Sequence, residues 1–179
     1  MKVFAMAVGL CVAASSAAAQ GGAAPSGGAP VEYEASFENA VHHEARISVT
    51  YRAVGTAPLE LRMARSSPGR YAIHEFAKNV YDIRAYDGSG NQIAVARPNP
   101  YQWNVTGHNG IVMITYKIYG DLVDGTYIGI DAGHAHMNMP ATLMWARRME
   151  GRPARIKFRP PAESWKPATQ LFPTADPWT

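Results

Sequence analysis

Arg46-Ile-Ser-Val-Thr-Tyr-Arg-Ala53 alternates without a break, with Ile47, Val49, Tyr51 and Ala53 on one side and Arg46, Ser48, Thr50 and Arg52 on the other. Successive side chains of an extended chain point to opposite faces, so this pattern is a strand with one face buried and one wet. Residues 31–38 repeat it, setting Val31, Tyr33, Ala35 and Phe37 against Glu32, Glu34, Ser36 and Glu38. Leu59, Leu61 and Met63 alternate in the same way with Glu60, Arg62 and Ala64. Further short strands are expected over residues 80–86, 92–96, 103–106, 111–119, 127–130, 142–145 and 155–158. Asp87-Gly-Ser-Gly90 and Gly107-His-Asn-Gly110 each stand between two such runs and read as hairpin turns. No helical stripe of three turns is visible, and residues 74–80 have room for a single turn. Many short strands with Gly and Pro between them predict an all-β fold, a two-sheet antiparallel β-sandwich over residues 31–159.

The flanks read differently. Lys2, the uncharged apolar run Val3–Ala14 and the small residues Ser15 to Ala19 have the order of a secretory signal, assigned to residues 1–19. The run is too short and too rich in alanine for a membrane span. Leu10 stands where lipid attachment at Cys11 would need a small residue. Residues 20–30, rich in Gly, Ala, Pro and Ser, are a flexible linker. The expected location is periplasmic or secreted, with no membrane association after cleavage. Beyond Arg159, five prolines (Pro160, Pro161, Pro167, Pro173 and Pro177) prevent regular structure. Trp165, Leu171, Phe172 and Trp178 are nevertheless too apolar for a solvated tail, so residues 160–179 should dock on this domain or on a following one.

Composition narrows the function. The 179 residues are 47% hydrophobic and 17% charged, which argues against a wholly disordered chain. One Cys excludes a disulfide framework and any multi-cysteine zinc site, and that Cys lies in the signal. The formal charge of +3, which loses Lys2 with the signal, is spread along the chain, so no nucleic-acid partner is expected. GxGxxG, the phosphate loop, HExxH and the nucleophile elbow are all missing.

The most unusual local composition is Asp131-Ala-Gly-His-Ala-His-Met-Asn-Met-Pro140. Two His one residue apart suit zinc or copper, and Met137 and Met139 suit Cu(I). In an extended chain His134, His136 and Asn138 share one face and the two Met the other, so a third ligand must come from elsewhere. The plain alternative is a polar loop edge over two core methionines. His42-His43-Glu44 precedes a strand that sends neighbouring side chains to opposite faces. His74-Glu75 starts a zinc-peptidase pattern, but Lys78 occupies the second His position, as Ile47 does after His43-Glu44. Tyr101, Trp103, Trp145, Trp165 and Trp178 are either core or a platform for sugars.

Several weak motifs recur in order: Tyr33-Glu-Ala-Ser-Phe37, His42 to Tyr51, Leu59-Glu-Leu-Arg-Met63, Ser67-Pro-Gly-Arg-Tyr71, Asn79 to Tyr86, Gln102-Trp-Asn104, Ile111 to Tyr116, Tyr127-Ile-Gly-Ile130 and the His134–Pro140 loop. With them, the chain from Val31 to Thr179 resembles the N-terminal domain of the glycyl aminopeptidase family, the PDZ-containing zinc metallopeptidases. Ser67 to Tyr71 is the most specific of these motifs. The resemblance implies a two-sheet β domain ahead of a catalytic domain that carries HExxH, a downstream Glu ligand and then a PDZ domain. That family removes small N-terminal residues, Gly and Ala, with zinc polarising the carbonyl and activating water. This sequence reaches Thr179 before any zinc motif. The expectation is therefore a noncatalytic module with no catalytic residue, metal ligand or cofactor of its own, the zinc belonging to the parent's catalytic domain. Residues 160–179 would be the connector to that domain. The module would pack on it and meet the peptide substrate indirectly, with His134, His136 and Asn138 as candidate substrate-binding residues. The alternative is a small exported copper- or zinc-binding sandwich using the His134/His136 loop.

Overall fold

The three alternating runs fold as β1 (Val31–Ser36), β2 (Glu44–Tyr51) and β3 (Leu59–Arg62), and their apolar sides are the buried ones. The computed structural model describes residues 28–176 and 178–179; the signal assigned to 1–19 and the linker as far as residue 27 lie outside them. The alternation in β2 ends at Ala53, which adopts a left-handed φ of 50° and turns outward, so that Val54 is buried instead. The remaining elements are β4 (Val80–Asp87), β5 (Gln92–Asn99), β6 (Gln102–Thr106), β7 (Val112–Tyr119), β8 (Ile128–Ile130), β9 (Ala135–Met137), the one-turn helix α1 (Met139–Thr142), β10 (Trp145–Ala146) and β11 (Ala154–Arg159). The single turn expected over 74–80 is a 3₁₀ turn at Phe76–Asn79.

The fold is all-β. Among the described residues nine strands form one sheet in the order β10-β3-β6-β5-β4-β7-β2-β1-β11, and β8 and β9 form a separate pair. Every neighbour in the large sheet is antiparallel except β1 and β11, which run parallel. The two sheets of the expected sandwich are halves of one curled sheet, and β5 is the corner. It pairs with β4 through Gln92 and Ile93, then with β6 from Ala94 to Asn99. Residues of both halves share a single core, with Trp103, Leu61 and Met63 from one and Ile47, Ile114 and Ile118 from the other. In β4 a left-handed Asp82 makes a bulge, so that Val80 and Ala85, five positions apart, both face inward opposite Ile118 and Ile114.

Two local expectations are corrected. Gly107–Gly110 is not a hairpin: β6 lies between β3 and β5, and β7 between β2 and β4, so neither strand has an edge left for the other. The turn carries the chain from one half of the sheet to the other. The strand expected over 142–145 is reduced to β10, because α1, with Pro140 in its first turn, takes up Thr142 and Leu143 N–H closes that turn on Met139 O at 2.9 Å.

Residues 142–144, from the last residue of α1 to the start of β10, run through the interior, where their backbone groups need partners. Three tyrosines from adjoining strands provide them. Tyr33 and Tyr51 hydroxyls donate to Met144 O at 2.8 and 3.1 Å. The Tyr116 hydroxyl donates to Thr142 O at 2.8 Å and accepts Met144 N–H at 3.1 Å. Burial raises the pKa of all three phenols, since the phenolate would lose its water. The C-terminal segment folds back on the same domain: Trp165 packs on Phe37 at 5.5 Å, Phe158 N–H donates to Trp178 O at 2.7 Å, and Lys157 pairs with Asp176 at 2.8 Å.

Tyr116→Phe is expected to destabilise the domain by about 1–3 kcal/mol in urea unfolding, because a buried N–H and a buried C=O lose their partner together. The pH dependence has a definite sign. A folded pKa raised above the unfolded one gives stability that is complete below about pH 10 and is lost as pH rises further. Phenolate absorbance should therefore show Tyr33, Tyr51 and Tyr116 titrating only with alkaline unfolding. Their free titration in the folded protein would contradict the clasp.

Candidate functional site

At one end of the fold, loop 64–75 meets the 120–127 segment, the β8–β9 hairpin and α1. Ser67-Pro-Gly-Arg70 is a turn closed by Arg70 N–H on Ser67 O at 3.1 Å, with Gly69 at φ 76° in the position where a side chain would be strained. The turn aims the Arg70 guanidinium at Asp124 O, 3.1 Å away. His74 is buried, stacked on Phe76 at 4.9 Å and edge-on to Tyr127, whose hydroxyl lies 3.2 Å from His74 Nδ1. Asp124 Oδ1 accepts Thr126 and Tyr127 N–H at 2.8 and 2.9 Å, which holds its carboxyl below the usual aspartate range. The two loops are thus tied together, yet they leave Tyr71 (106% exposed), Ile73 (72%), Leu122 (51%) and Val123 (62%) facing outward. Exposed apolar side chains on two loops joined in this way are candidates for contact with another domain.

Asp131 to Pro140, read as a loop, contains a hairpin. Asp131 Oδ1 accepts Gly133 and His134 N–H at 2.7 and 2.9 Å, and Asp131 N–H donates to His134 O at 2.9 Å. These bonds depress the Asp131 pKa and turn β8 into β9. Gly129 is required in β8, because a Cβ there would stand 2.1 Å from Val123 Cγ2. The three expected substrate-binding residues have separate surroundings. His134 is exposed on the turn and pairs with Asp131 at 2.9 Å. His136 lies in β9 opposite Gly129, and its Nε2 is shielded from solvent without a hydrogen-bond partner among the described residues. Asn138 directs its side-chain amide N–H groups to Ser67 Oγ at 3.0 Å and to Thr126 O, while its backbone carbonyl accepts from the Thr142 hydroxyl at 2.8 Å. It joins loop 64–75, the 120–127 segment and α1.

Among the described residues no three His, Cys, Asp or Glu side chains are grouped to hold a metal ion. Among those residues the donor set therefore does not fit a zinc centre. His43 Nδ1 bonds Ile130 O at 2.5 Å and lies 3.6 Å from Asp121, whereas Glu44 turns to Asn39 and Lys117. The aromatic residues do not form a shared platform: Trp103 is in the core beneath Arg97, and Tyr101 lies under Arg65. Trp165 and Trp178 instead line an open groove of about 720 Å³, which Ala135, His136 and Met137 also line. Sequence reasoning missed this groove and the outward Tyr71–Val123 face. Leu122-Val123, an apolar pair flanked by Asp121 and Asp124 in a loop, was the available signal for the second.

The family model for the peptidase M61 N-terminal domain matches residues 32–178. The chain belongs to this family. Among solved structures, the M61 N-terminal domain described here is similar to an aminopeptidase N family protein from Idiomarina loihiensis, with a TM-score of 0.69 at 18% identity. That likeness, which is one of fold, covers 73% of this chain and 22% of the other. No curated protein matches the sequence significantly.

The hairpin turn gives a pH test. With its folded pKa depressed, Asp131 contributes stability that is complete above about pH 4 and is lost as pH falls through the lowered value. Hydrogen-exchange protection of the Gly133 and His134 amides should fall over that acid range, and Asp131→Ala should abolish it at neutral pH. Unchanged protection in Asp131→Ala would place the restraint elsewhere.

Proposed function

We propose that this chain is the noncatalytic N-terminal β domain of an exported zinc aminopeptidase that releases small N-terminal residues, Gly and Ala, from peptides. The observation that carries the reading is the family match across 32–178, a domain named for its place at the N-terminus of a peptidase. The domain packs on the catalytic domain of the same polypeptide, which holds the zinc and is followed by a PDZ domain. The outward face of Tyr71, Ile73, Leu122 and Val123 suits that packing, since it is apolar, preformed and held by Arg70 and Asp124. His134 and His136, on the neighbouring hairpin, wall part of the peptide cleft, and Asn138 holds that hairpin in place. Export through the residue 1–19 signal would place the protein in the periplasm or outside the cell.

Residues 20–179 are expected to show no zinc-dependent hydrolysis of Gly- or Ala-anilide above a mock preparation. Turnover would overturn the noncatalytic reading. Reading the gene beyond codon 179 should reveal an in-frame HExxH within a few hundred codons, and an immediate stop would remove the parent enzyme. In the longer product, Ile73→Asp should lower Tm by several degrees while leaving Tm of residues 20–179 unchanged. Equal effects in both would take the Ile73 face out of the domain contact.

A further inference from the structure

β8 has a neighbour on each side. On one, Leu122 N–H donates to Ile128 O at 3.0 Å and Ile130 N–H donates to Gly120 O at 2.9 Å. On the other stands β9, with Gly129 opposite His136. In an antiparallel strand the N–H and C=O of one residue point to the same edge, and successive residues alternate. Ile128 and Ile130 therefore face the 120–122 segment, while Gly129 and Asp131 face β9. His134 and His136 bond back to β8, leaving Ala135 and Met137 to direct their amide groups to the far edge. Among the described residues nothing pairs with that edge.

Ala135 and Met137, the residues of this open edge, line the 720 Å³ groove together with Trp165 and Trp178. His136, whose Nε2 is shielded and unpartnered among the described residues, lines the same groove. β9 reads Ala-His-Met and carries none of the Lys or Pro residues that blunt an exposed edge. Two residues in alternate positions thus present paired N–H and C=O groups about 7 Å apart beside an aromatic trough. That spacing is the complement of another extended backbone, and neither a sugar nor a metal ion reproduces it.

We propose that the edge of β9 takes up an extended peptide segment by strand addition, its backbone pairing with Ala135 and Met137 and alternate apolar side chains entering the groove beside Trp165. Among the described residues of the lining, Lys166 is the single Lys or Arg and favours a segment with an acidic residue over a basic one. The inference stands on the edge geometry and does not depend on the peptidase reading.

The test is an NMR titration of the ¹⁵N-labelled protein with acetyl-Val-Thr-Leu-Glu-Val-Thr-amide and two analogues N-methylated on alternate residues, one in each phase. Saturable binding is expected to perturb the Ala135 and Met137 amides and the Trp165 indole. One N-methylated phase should bind like the parent peptide and the other at least about ten-fold more weakly, because only one edge of the peptide pairs. Met137→Pro removes an edge N–H without touching a β8 bond and should weaken binding similarly. Absence of saturation, equal binding of both N-methylated phases, or shifts confined to other surfaces would each overturn the proposal. If the proline variant does not fold, the two analogues decide the matter on the unaltered protein.

Discussion

Three tyrosine hydroxyls, from β1, β2 and β7, hold the backbone of residues 142–144 inside the sandwich. Unpaired, those amide groups would make the interior position untenable, since an orphaned buried polar group costs about 1–3 kcal/mol. Paired, they let the chain cross from the hairpin end to β10, which docks on β3 at the opposite margin of the curled sheet. The clasp therefore joins the two halves of the sheet, and it fixes α1, which immediately precedes it. β9, Asn138 and the groove wall take their positions from that anchor.

The functional end is built on top of this constraint by polar loop chemistry. Asp124 and Asp131 each gather successive backbone N–H groups, and Asn138 binds two loops at once. Such bonds give loops the definition that a sheet gives strands. Two surfaces result from the same rigid end: an apolar face on Tyr71, Ile73, Leu122 and Val123, and an aromatic groove with an open strand edge. Surfaces of this kind suit the contact role proposed above for this member of a peptidase N-terminal family.

Legibility in the sequence followed the range of the interaction involved. Ile47, Val49 and Tyr51 were assignable to a buried face because alternation is a property of one strand. The turn at Phe76–Asn79 was readable for the same reason. Gly107–Gly110 carried the same local signal as Asp87–Gly90, yet it crosses between sheet halves because β6 and β7 already have neighbours on both edges. β9 escaped notice because its three residues include a polar His and no flanking alternation. His134, His136 and Asn138 looked like one face of an extended chain. A turn, a strand and a helix cap give them three different settings.

The all-β class, the burial of each strand's apolar side and the lack of a zinc motif all follow from the order of residues, since periodicity and ligand spacing are written along the chain. The curl at β5, the parallel pairing of β1 with β11, the tyrosine clasp and the open edge of β9 do not. Each depends on which distant segment occupies a given edge or cavity. That choice is made by competition for backbone partners across the whole molecule, which no local pattern records.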